Sequence, residues 1–149
     1  MSAMVLVYRA PMRSRDDGID AGKTIARGRR LGVCGFGELG VDDDRLARRI
    51  ARFADVPDGA LVWTRDPEGL FWLGRIEGPY RHDSASAASA VDLVHVRPCR
   101  WLAAQFLESE VPAAVLATYR RGGRNFQQTH DAAVGPESLR LWEARTAAG

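Results

Sequence analysis

The sequence predicts an α+β domain built around a small curled sheet or barrel. Short extended runs recur across residues 60–101 with tight turns between them, and helical segments lie before and after. The chain has 149 residues, 46% of them hydrophobic, enough for one sizeable core. No internal repeat or shift of composition divides it, so residues 1–149 read as a single domain.

Residues 4–8, Met-Val-Leu-Val-Tyr, read as a buried first strand that stops near Pro11. Residues 16–30 carry Asp16 and Asp17 early and Lys23, Arg27, Arg29 and Arg30 late, a charge order that suits a short helix dipole. Three glycines weaken that helix. Residues 31–37 read as a second strand with a glycine-rich end. Residues 42–54 are the firmest helix. Asp42, Asp43 and Asp44 supply a cap and first-turn charge, and Leu46, Ile50 and Phe53 form an apolar stripe. Arg45, Arg48, Arg49 and Arg52 take the other face.

A hairpin follows, with strands at 60–65 and 70–76 joined by Asp66-Pro67-Glu68-Gly69. Gly78-Pro79 breaks the second strand. The Ser/Ala run at 84–90 has no anchoring residue and reads as a mobile spacer. Residues 91–97 read as a strand stopped by Pro98. Residues 112–121 read as a helix with Pro112 in its first turn and two glycines past its end. Residues 125–128 look extended, and Gly135-Pro136 opens a last helix carrying Leu139 and Trp142.

Net charge is only +2, which argues against a basic, nonspecific coat for nucleic acid. Lys23 is the only lysine among 21 basic residues. Arginine stacks on bases and forks onto phosphates as lysine does not, but a GC-rich genome produces the same bias, so only the placement of arginines counts. Cys34 and Cys99 sit in apolar context and read as buried free thiols. His82, His95 and His130 are scattered, so no metal site and no cofactor is expected. The apolar N-terminal run is too short for a signal peptide or a membrane span, which places the chain in the cytoplasm. No Ser/His/Asp or Cys/His order is legible, so no catalytic residue is assigned and no enzyme is expected.

The stretch 63–101 alternates aromatic and arginine side chains. Flat stacking surfaces beside fixed positive charge suit a nucleic-acid reader. Phe36 lies between two glycines that let backbone approach a ligand, and Glu38 can accept a hydrogen bond from an exocyclic amino group. Trp63, Trp72 and Trp101 lie in extended segments, where each is a pocket wall or a core filler. Tyr80 and Arg81 follow the Gly-Pro break at a barrel rim, the first suited to stacking and the second to phosphate. His95 and Arg97 continue the apolar face of Leu93, ending in a cavity or in a structural bond. Arg120, Arg121 and Arg124 flank Gly122-Gly123, either as a phosphate clamp or as charge that satisfies a helix end.

The order of GFGELG, GRIEGPY and HVRPCRW across residues 35–101 resembles the EVE-like branch of the PUA-like superfamily, in particular the domain fused to Mrr-type and other modification-dependent restriction endonucleases. The similarity runs roughly from residue 4 to residue 130. It implies a β-barrel of five to six strands flanked by helices, and a modified, flipped base held in an aromatic pocket. Phe36 stands where relatives often carry tryptophan. No nuclease motif follows, so the effector would be a separate protein. On this resemblance the base pocket comprises Phe36, Glu38, Trp63, Tyr80, His95, Arg97 and Trp101, while Arg81, Arg120, Arg121 and Arg124 hold the backbone. The expected partner is modified DNA, with RNA as a variant, in a bacterial restriction or defence system. The rival reading is a small-molecule or nucleotide sensor using the same pocket.

Overall fold

The computed structural model describes residues 4–148. Among these, seven strands form one mixed, curled sheet in the order β2-β6-β4-β3-β1-β7, with β5 pairing β6 off this path. The strands are β1 (Val7–Arg9), β2 (Val33–Phe36), β3 (Leu61–Arg65), β4 (Phe71–Ile76), β5 (Arg81–His82), β6 (His95–Trp101) and β7 (Gln127–Gln128). The helices are α1 (Ala21–Leu31), α2 (Asp43–Ala54), α3 (Ser86–Ala90), α4 (Ala113–Arg120) and α5 (Val134–Ala148). The α+β class and the small curled barrel are as expected. The strand count exceeds five to six because β5 and β7 are two-residue strands. β7 lies within the extended run 125–128, whereas β5 pairs only through tertiary contact and leaves no periodic trace in sequence.

Local chemistry explains most boundaries. Asp20 caps α1 by accepting from the backbone N–H of Gly22 at 2.9 Å, so the helix starts at Ala21 rather than at Asp16. Asp42 caps α2, accepting from the Arg45 N–H at 2.9 Å. In the β3–β4 turn, Asp66 Oδ1 accepts from the N–H groups of Glu68 and Leu70, and Gly69 takes φ +87°.

Two expectations fail. The run 84–90 is not a free spacer. It forms α3, with Ala88 fully buried and Asp83 Oδ1 accepting from the Ala85 N–H at 3.1 Å. Ala88 is the anchor that the small side chains hid. Nor does Pro98 stop a strand. It sits within β6, opposite Val33. β4 pairs with β6 only from Cys99 onward and β5 only at Val96 and His95. Pro98 lies between those pairings, where its ring packs at Gly78 while its carbonyl still accepts from the Glu77 N–H. The missing N–H forgoes only the reciprocal bond to the Glu77 carbonyl, at the point where β4 ends.

The sheet separates two cores. Along β3, Val62 faces one and Leu61 and Trp63 the other, as strand alternation requires. The first core holds Met12, Ile25, Cys34, Phe53, Ile76, Val96 and Cys99, under α1 and α2. The second holds Trp63, Phe71, Leu73, Phe106, Val115 and Trp142, under α4 and α5. Cys34 and Cys99 are buried free thiols, and burial pushes the Cys99 thiol up. Among the described residues no helix is long and apolar enough to cross a membrane.

Candidate functional site

A cavity of about 630 Å³ opens between α2, β1, the 36–41 loop and the 124–130 segment. Ligand clefts typically span about 300–1,000 Å³. Four aromatic rings form a continuous wall. Tyr8 and Phe126 are stacked with centroids 5.0 Å apart and planes 14° apart. Phe53 meets Phe126 edge-on at 4.8 Å, and Phe36 meets Phe53 at 5.0 Å. Phe53 is buried, whereas Tyr8, Phe36 and Phe126 keep part of their surface open.

Five arginines line the same cavity: Arg13, Arg15, Arg49, Arg52 and Arg124. Among the described residues, Arg13, Arg49 and Arg52 enter no ion pair. Burial first, then repulsion from Arg15 and Arg45, holds the Arg49 guanidinium below its ordinary value. It remains a cation. Arg124 is partly committed: it donates to the Ser14 carbonyl at 2.8 Å and to Asp17 Oδ1 at 2.7 Å. Arg15 donates to Asn125 Oδ1, which ties both sides of the mouth together.

The loop that carries Arg124, Asn125 and Phe126 is shaped from within by Arg9. Its buried guanidinium donates to the carbonyls of Thr118, Gly122 and Asn125 and to Gln127 Oε1. Gly122 and Gly123 take φ +76° and +97°, which a side chain would strain.

One buried carboxylate lines the cavity. Asp92 is 4% exposed and sits at φ +51°. Its Oδ2 accepts from Ser14 Oγ at 2.6 Å and its Oδ1 from the Glu38 N–H at 2.9 Å. A carboxylate offers about four lone-pair sites, so acceptor capacity remains.

The cavity gathers only two of the expected site residues, Phe36 and Arg124. Glu38, Tyr80 and His95 lie on the far side of Phe36, in a cluster of their own. His95 Nε2 stands 2.9 Å from Glu38 Oε2, and the Tyr80 hydroxyl 2.8 Å from His95 Nδ1. Glu38 therefore spends its side chain on His95 rather than on a cavity ligand. Burial first, against the opposing pull of Glu38, holds His95 below its ordinary value and favours the neutral ring. Arg81 is exposed on β5 beside this cluster.

The remaining candidates are structural in their contacts. Trp63 is fully buried in the second core and donates through Nε1 to Ser138 Oγ at 3.0 Å. Trp101 donates to the Val33 carbonyl at 3.0 Å and packs over Gly74, where an added Cβ would meet its ring at 2.7 Å. Trp72, under the Arg29 guanidinium at 3.2 Å, bonds Asp66. Arg97 is 3% exposed and donates to the carbonyls of Phe53, Val56 and Gly78 and to Asp58 Oδ1. Four of its five N–H donors fasten the end of α2 to β6, and it does not line the cavity. Arg120 pairs with Glu108 at 3.5 Å, and Arg121 is exposed; neither lines the cavity.

Tyr8, Phe53, Phe126, Asp92, Arg13, Arg15, Arg49 and Arg52 were missed as site residues. The one usable signal was the arginine face of α2, which has almost no acid to pair with past its first turn.

No protein-family model matches the chain. No curated protein matches it. Among solved structures it is similar to the YTH domain of the Zygosaccharomyces rouxii MRB1 protein, in complex with N6-methyladenosine RNA. The TM-score is 0.56 at 13% identity, over 96% of this chain and 91% of that one. The two share a fold.

Proposed function

We propose that this chain is a non-enzymatic reader that holds a modified base of a nucleic acid in the cavity beside α2. The observation that carries the reading is the coincidence of four aromatic rings with five arginines around one opening. A base drawn out of its strand stacks on the open rings of Tyr8, Phe36 and Phe126. Asp92 accepts a hydrogen bond from an N–H on the base edge, the part first expected of Glu38. Arg13, Arg49 and Arg52 take the flanking phosphates.

The structural neighbour is an N6-methyladenosine RNA complex, so RNA rather than DNA is the first target to test. The EVE-like likeness and a place in a defence system are part of the same proposal and rest on the motifs alone.

A binding panel tests it. RNA and DNA oligonucleotides of identical sequence, with and without one N6-methyladenosine, are titrated at two salt concentrations beside the free nucleosides. The reading expects salt-dependent binding of an oligonucleotide, strengthened by the modification. Tight, salt-independent binding of a free nucleoside would favour the sensor reading instead. No binding of any member would remove both.

A further inference from the structure

Two of the three histidines, distant from Glu38 in sequence, meet it in space. β6 carries His95 between two neighbours: β2 on one side, with Phe36 opposite His95, and β5 on the other, with His82 opposite His95. Glu38 follows Phe36 by two residues, and its backbone N–H is pinned to Asp92. One ligand atom from each of Glu38, His82 and His95 lies within 4.8 Å of the others. The His82 and His95 rings are 5.3 Å apart between centroids.

We propose that Glu38, His82 and His95 form a site for a divalent transition-metal ion of the zinc type. Two imidazoles and one carboxylate are a donor set that favours such ions over magnesium or calcium. Tetrahedral coordination at about 2.0–2.2 Å places ligand atoms about 3.3 Å from one another. His95 Nε2 and Glu38 Oε2, now 2.9 Å apart, need little movement to open to that spacing. His82 and Glu38 are exposed and free to close on the ion, whereas His95 is 4% exposed and fixed.

Tyr80 supplies the outer partner that ligating histidines commonly have. Its hydroxyl, 2.8 Å from His95 Nδ1, donates when Nε2 carries the ring proton and accepts when the proton sits on Nδ1. The second arrangement leaves the Nε2 lone pair to the metal. Three protein ligands at a surface leave a fourth position for water or an anionic oxygen.

This inference stands apart from the base-reader proposal, since none of the three ligands lines the cavity. The test is calorimetric titration of the full chain, stripped with chelator and dialysed, with zinc chloride. Expected are one equivalent bound, a rise in melting temperature on saturation, and visible d–d bands of tetrahedral type when cobalt(II) replaces zinc. His82→Ala changes an exposed residue and keeps the fold by circular dichroism, yet loses at least about tenfold in affinity together with the thermal shift. Tyr80→Phe lowers affinity by about ten- to a hundredfold, as outer-shell partners do. Absence of a stoichiometric heat, or equal zinc binding by the wild type and by both His82→Ala and Glu38→Gln, overturns the site.

Discussion

Gly37 and Asp92 share one space: a Cβ built on Gly37 would stand 2.0 Å from Asp92 Cγ. The glycine is there so that the carboxylate can lie flat against the 36–38 backbone and accept from the Glu38 N–H and from Ser14. That contact sets the end of the cavity. It also explains why Asp92 tolerates φ +51°, since several bonds hold it.

Gly37→Ala displaces the Asp92 carboxylate and leaves Ser14 Oγ and the Glu38 N–H in search of partners. A cost of about 1–3 kcal/mol of stability is expected for such orphaned groups. Thermal or urea unfolding measures it. Binding of a modified oligonucleotide falls further than stability alone accounts for, because the acceptor on the base edge has moved. A variant as stable as the wild type would show that the loop relaxes freely.

Phe126→Ala and Phe53→Ala separate wall from core. Phe126 is half-buried and stacks on Tyr8. Its loss is expected to cost about 1–3 kcal/mol of binding, as base–aromatic stacking does, with the fold retained. Phe53 is 1% exposed, and its truncation is expected to cost about 3–5 kcal/mol of stability. Calorimetric unfolding of each variant beside its binding curve makes the distinction. Equal stability losses would place Phe126 in the core too.

Arg49→Ala combined with Arg52→Ala lowers affinity for every sequence alike, because phosphate contacts carry no direct sequence information. The slope of log K against log salt becomes shallower by about 0.7 per contact on a single strand. Arg120→Ala, off the rim and paired with Glu108, leaves that slope unchanged. A salt series on the two proteins checks this, and an unaltered slope in the double variant would remove α2 from the interface.

Arg97→Met keeps the stem and removes the fork. The carbonyls of Val56 and Gly78 then lose their donor, and that of Phe53 keeps only backbone N–H groups. About 1–3 kcal/mol of destabilisation is expected for the buried acceptors, with α2 loosened first. Amide exchange at the C-terminal turn of α2 reads the effect locally. Unchanged protection there would contradict the fastening role.

What could be read from sequence was what short-range chemistry decides. The β3–β4 turn announces itself through Asp66 and Gly69, and α2 through Asp42, because cap and turn lie within a few residues of what they cap. The motifs that carried the EVE-like resemblance encode a seam, not a pocket. Gly74 leaves room for Cys99 and Trp101, Gly78 packs on Pro98, and Arg97 fastens α2. The aromatic wall was illegible because Tyr8, Phe53 and Phe126 come from three distant segments. Each reads alone as an ordinary apolar position, and Phe53 even completes the helical stripe. Asp92 was invisible for the same reason, since its partners are 54 and 78 residues away.

The central claim is that the base sits among these rings, and intermolecular NOEs test it most directly. A short RNA bearing one N6-methyladenosine is bound to isotope-labelled protein, and contacts from its methyl and base protons are assigned. Contacts to the ring protons of Tyr8, Phe36 and Phe126, absent for the unmodified RNA, are the predicted result. Contacts confined to Tyr80, His82 and His95, or to no aromatic ring of the cavity, would contradict it.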